Sequence, residues 1–147
     1  MPHAGLMDEE ALGPEEAALQ RSRLHVRGGR RRLRQGKISG GLAALHDALT
    51  SGMDWFFASA GRRSRVAISA AEARSDLGRY DALVRSGVLD GSFDFRAFDR
   101  VIDRTLVEEV ADADHGTILR GIETALTQLG VLPFDESVLP AEDPRTL

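Results

Sequence analysis

A chain of 147 residues with 42% hydrophobic and 29% charged side chains has the size and composition of one folded domain, here 1–147. At this length about 68–70% of the unfolded surface can be buried, so a core is affordable without staples. The absence of cysteine excludes disulfides, thiolate catalysis, cysteine-ligated zinc and iron–sulfur clusters. The formal net charge of −4 conceals a segregation: residues 1–16 hold five acids and no base, 17–89 hold 14 bases and five acids, and 90–147 hold five bases and 13 acids.

Residues 1–12 are expected to be flexible. The opening Met1-Pro2-His3-Ala4-Gly5-Leu6-Met7-Asp8 lacks the positive start and apolar centre of a secretory leader. No uninterrupted apolar run approaches membrane-spanning length. Together these predict a cytoplasmic protein with no membrane partner. The single lysine beside 18 arginines reads as the codon bias of a GC-rich bacterial genome, which weakens arginine richness as a functional signal.

Five helical segments follow, with no convincing strand. Gly13 to Gln35 is read as one helix, with Pro14 in its first turn and Leu12, Leu19, Val26 and Leu33 recurring every seven residues. Gly28-Gly29 inside it implies either a closely packed second helix or a break. The second helix, Ser39 to Ala60, follows a stripe of Ile38, Leu42, Leu45, Leu49, Met53 and Phe56 at steps of four, three, four, four and three, the signature of a central bundle helix. Ser69-Ala70-Ala71-Glu72 has capping-box spacing and predicts a third helix over 69–86, weakened at Gly78. Phe95, Phe98, Ile102, Leu106 and Val110 predict a fourth over 94–112. Asp114 as N-cap and Gly130 as a Schellman terminator bound a fifth. The tail, 131–147, holds Val131, Leu132, Pro133 and Phe134 and should fold back onto the bundle surface. The expected fold is an all-α antiparallel bundle of about five helices with that tail packed along it.

Motifs for chemistry are missing. His3, His25, His46 and His115 are scattered, with no His-Glu-x-x-His and no Glu-x-x-His. Asp112, Asp114 and His115 adjoin, but Asp114 reads better as a cap. No Gly-x-Ser-x-Gly elbow occurs, and Gly36-Lys37-Ile38-Ser39-Gly40-Gly41 lacks phosphate-loop spacing. No catalytic residue, metal or cofactor is therefore expected. One polar grouping on the second helix, His46, Asp47 and Asp54, has the residue types of a general base with carboxylate partners, but an interfacial histidine explains it better. The clearest electrostatic feature is Arg21 to Lys37, with eight positive charges and no acid. It either faces the acidic C-terminal half, within the fold or across a dimer, or contacts nucleic acid or another anion through Arg27, Arg30, Arg31, Arg32, Arg34 and Lys37. No aromatic residues interleave the run, which favours the first.

Over about residues 20–60, the polar helix, the Gly36-Lys37 joint and the alanine-rich Leu42-Ala43-Ala44-Leu45-His46-Asp47-Ala48-Leu49 resemble the opening hairpin of HEPN-type helical proteins. That resemblance implies a helical bundle, often dimeric, in a family whose members accompany nucleotidyltransferases or cut RNA. The family's ribonuclease signature, an arginine separated from a following histidine by four to six intervening residues, is absent before His25, His46 and His115. Nuclease activity is therefore not implied. The ending Leu129-Gly130-Val131-Leu132-Pro133-Phe134-Asp135-Glu136 also resembles small uncharacterised bacterial proteins. The expected function is a non-catalytic protein–protein interaction or dimerisation module, a homodimer or bound to another protein. The alternative is a HEPN-like accessory protein binding RNA or DNA through Arg21–Lys37.

Overall fold

The computed structural model describes residues 9–146, and every regular element among them is helical. One turn, α1 (Glu9–Leu12), precedes α2 (Pro14–Arg34). Residues 1–8, most of the segment expected to be flexible, lie outside the described residues. Pro14 in the first turn and Glu15 and Glu16 beside the positive end of the dipole start α2. It continues unbroken through Gly28-Gly29 because the bare backbone admits α3 (Ile38–Ala58). A Cβ on Gly29 would stand 2.9 Å from Leu45 Cδ2 and 3.3 Å from the Gly41 carbonyl, and one on Gly41 2.6 Å from Leu33 Cδ2. The close-packing alternative is thus the one realised. Within the same contact the buried Ser22 hydroxyl donates to the Ala48 carbonyl at 2.7 Å.

The hairpin is joined by Gln35-Gly36-Lys37, with the Lys37 amide donating to Arg32 O at 2.8 Å. Helix α3 is central, as its stripe predicts: it touches α2, α4 (Ala60–Arg63), α5 (Asp76–Arg85), α6 (Phe95–Thr105) and α7 (His115–Leu129). Leu42, Leu45, Leu49, Met53 and Phe56 are buried. Arg62 closes its C-terminal end, donating to the Phe56 and Trp55 carbonyls and lying 3.8 Å from the Trp55 ring centroid.

Two boundaries differ from expectation. The Ser69–Glu72 capping box forms reciprocally, at 3.0 and 3.1 Å, but caps only a 3-10 turn, Glu72–Arg74. Ser75 then caps α5 by accepting from the Gly78 amide. The turn's backbone sits so close to Gly78 that a Cβ there would be 2.4 Å from Glu72 O, and this bend replaces a continuous helix. The fourth helix stops at Thr105, not 112. Arg104 reaches forward to Glu108 and Asp112, and the Val110 amide donates to Ser39 Oγ at 2.8 Å. Val110 is therefore buried through an irregular segment, while Leu106 and Val107 are exposed. The fifth helix matches: Asp114 accepts from the Thr117 amide, and Gly130 (φ 101°) closes a Schellman turn, with the Val131 amide donating to Leu126 O at 2.9 Å. That turn directs the tail back along α2, where Val131, Leu132 and Leu139 are buried and Glu136–Val138 makes one 3-10 turn.

Candidate functional site

Arg23, Arg27, Arg30 and Arg34 advance by four, three and four along α2, so they share one face, with Arg31 at its edge. The tail lies across this face, held through both main chain and side chains. Arg23 Nε donates to Val131 O at 3.2 Å, Arg27 Nη1 to Pro140 O at 2.7 Å, and Gln35 Nε2 to Thr146 O at 2.8 Å. Glu142 accepts from Arg31 at 3.1 Å and forms an ion pair with Arg27 at 3.2 Å, and Glu136 stands 3.9 Å from Arg27. On the other flank Arg30 Nε donates to Glu123 of α7 at 2.9 Å. The Arg23 guanidinium lies 5.2 Å from the half-buried Phe134 ring, and burial draws its pKa below the ordinary arginine value.

The basic run thus meets acids of its own chain, the intrachain form of the pairing expected from sequence. Arg27, Arg30 and Arg31 are brought into one array. Arg32 lies apart from them, against Gly28 and Gly40; burial, then Arg31, lowers its pKa against the pull of Glu142. Arg34 and Lys37 are exposed and have no carboxylate partner among the described residues. Between the array and the tail runs an open groove of about 640 Å³, with Arg27, Arg30 and Arg34 on one wall and Glu136, Ser137 and Glu142 on the other. A smaller recess of about 260 Å³ adjoins it at Arg30, Glu123 and Phe134. The helical spacing of Arg23 with the others was a signal that pointed to its membership. Phe134 docks as its place beside Val131 and Leu132 predicts, whereas nothing local pointed to Gln35.

The other sequence candidate divides. His46 packs on Phe95 and Phe98, both ring centroids at 5.9 Å, with Nε2 3.5 Å from Asp99 Oδ1 of α6 and Nδ1 3.9 Å from Asp47 Oδ1. Asp47 foremost, then Asp99 and Asp76, hold its pKa above the ordinary imidazole value, while burial opposes them. Asp54 does not join it. The two are eight residues apart on one helix, about 12 Å of rise. Asp54 instead forms an ion pair with Arg79 at 3.1 Å and faces Arg21 at 3.8 Å, and Arg79 also binds Asp76. His46 therefore bridges α3 to α6, and Asp54 joins α3 to α5 and α2. Asp99 was missed as the histidine's partner, because its neighbours Arg96 and Arg100 suggested a solvated ion-pair face; Arg96 in fact pairs with Asp81 of α5.

Among the described residues no group of three His, Asp or Glu side chains is placed to hold a metal ion. No described helix is long and apolar enough to cross a membrane. No family model matches the chain, and neither does any curated protein or solved structure.

Proposed function

We propose that the chain is a non-catalytic protein–protein interaction and dimerisation module. One observation carries this: α2 grips an extended acidic segment by its carbonyls and carboxylates at once, the contacts with which one protein surface reads a strand of another. His46, Asp54 and Arg79 support the same reading, since each is spent on ion pairs between helices. Sedimentation equilibrium tests it. The wild type should self-associate in the micromolar range, and Arg30→Gln/Arg31→Gln/Arg32→Gln should shift it toward monomer with unchanged helical circular dichroism. A chain that stays monomeric at every concentration and retains no protein partner overturns the proposal.

A second reading, a HEPN-like accessory protein that binds RNA or DNA, draws on Arg34 and Lys37, which lack acidic partners among the described residues. Its phosphate contacts would make affinity fall linearly in log–log with salt, with a slope that Arg34→Gln/Lys37→Gln flattens. Tight, salt-sensitive binding by a monomer would favour it over the first.

A further inference from the structure

We infer that the arginine face of α2 is a docking site for an acidic, extended peptide segment of a partner protein, and that the chain's own tail is its resident, displaceable occupant. The inference rests on the interaction-module reading and names the partner's chemistry. The tail is a workable ligand but an incomplete one. Of its four acids, only Glu142 makes close ion pairs with α2, while Glu136 stays 3.9 Å from Arg27 and Asp143 turns to its own neighbour Arg145. Arg34 lines the groove without an ion pair to any acid among the described residues, and the buried Arg31 Nε has no acceptor there. The groove beside the tail, about 640 Å³, leaves room along the guanidinium wall.

A segment with carboxylates spaced to meet Arg27, Arg30 and Arg34 together would satisfy what the tail leaves open. The tail is held in two parts. Val131 and Leu132 are buried at the end of α7, whereas beyond them Leu139 is the one buried apolar side chain among residues 133–146. The distal part is thus fastened to α2 mainly by hydrogen bonds and ion pairs, which can exchange without opening the core. As an intramolecular competitor with an effective concentration in the millimolar range, it suppresses partner binding until a better ligand arrives. An acidic peptide is favoured over a nucleic acid because an acidic peptide segment already occupies the face, held through its main-chain carbonyls as well as a carboxylate, and a phosphate backbone offers no peptide carbonyls.

The test uses the full chain and two labelled probes in fluorescence anisotropy: a synthetic peptide of the sequence of residues 131–146, and a single-stranded RNA of similar length. The wild type should bind the peptide weakly, and Glu136→Gln/Glu142→Gln, which loosens the resident tail, about tenfold more tightly. Arg27→Gln/Arg31→Gln should abolish binding, as should replacing the peptide's glutamates with glutamine. Arg34→Gln alters an exposed, unpartnered side chain and so keeps the fold; in the Glu136→Gln/Glu142→Gln background it should weaken binding several-fold. Peptide affinity indifferent to the tail and arginine changes overturns the inference, as does RNA bound more tightly than the peptide. A wild type that self-associates yet ignores the peptide sinks this inference and leaves the dimerisation reading standing. A monomer that binds the peptide does the reverse for dimerisation.

Discussion

Gly40 and Gly41 are neighbours in the first turn of α3, and alanine should act with opposite sign at the two. Helix propensity alone favours alanine at either by up to about 1 kcal/mol. At Gly40 the new methyl meets only Arg32 Cδ, at 3.4 Å, an ordinary contact with a side chain that can shift. Gly40→Ala should therefore stabilise by a few tenths to about 1 kcal/mol. At Gly41 the methyl would stand 2.6 Å from Leu33 Cδ2, 2.8 Å from Leu33 Cγ and 3.2 Å from the Leu33 backbone nitrogen. Leu33 is itself buried, so its side chain has nowhere to go, and the two helices must part. Overpacking of this kind costs about 1–3 kcal/mol. After the propensity gain, Gly41→Ala should lose about 1–2 kcal/mol, or about 2–8 °C in Tm at this chain length. Urea unfolding followed by circular dichroism, with m unchanged, reads the difference. Adding Leu33→Val, which shortens the colliding side chain, should recover part of the loss. A Gly41→Ala midpoint equal to or above wild type would refute the close approach of α2 and α3.

Leu45→Ala, at a fully buried position of α3, should cost about 2–5 kcal/mol in the same assay, and a loss under about 0.5 would mean that α3 is not central. His46 has a raised pKa in the fold, so its contribution to stability is fully present below about 6.5, the unfolded value, and fades as pH rises through the folded one. His46→Gln should thus be more destabilising at low pH than at high, and an equal loss at both ends contradicts the pairing of His46 with Asp47 and Asp99. Tyr80, the single tyrosine, donates its buried hydroxyl to Phe93 O at 2.7 Å, and burial foremost pushes its pKa up to about 12. Phenolate absorbance should accordingly appear about two units above the unfolded value near 10, and a midpoint near 10 in the folded protein would place the ring in solvent.

The parts of the fold legible in the sequence are those written in local periodicity. The α3 stripe, the Asp114 cap and the Gly130 stop each depend on residues within a few turns. Periodicity misled where a long-range contact took over. Val110 stands in phase with Phe95 and Ile102, yet reaches the core because its amide finds Ser39, 71 positions away, and Leu106, equally in phase, is left outside. Ser69 and Glu72 formed their box, but the spacing says how a helix begins and not how long it lasts. In the candidate site, the positive members were visible and their partners were not. Nothing near Arg27 or His46 in sequence designates Pro140, Glu142 or Asp99, because charge patterns give sign and abundance while pairing is set by the tertiary path of the chain.

The central position of α3 has a further consequence for how the molecule breathes. A helix in contact with five others has no partial opening of its own: freeing its inner amides requires undoing most of the domain. Hydrogen exchange over Leu45–Met53 should therefore proceed only through global unfolding, and its slowest rates report the stability of the whole fold. Backbone amides beyond Leu139, secured chiefly from α2, belong to a separate cooperative unit that exchanges by local release, so the two segments report different free energies in one measurement.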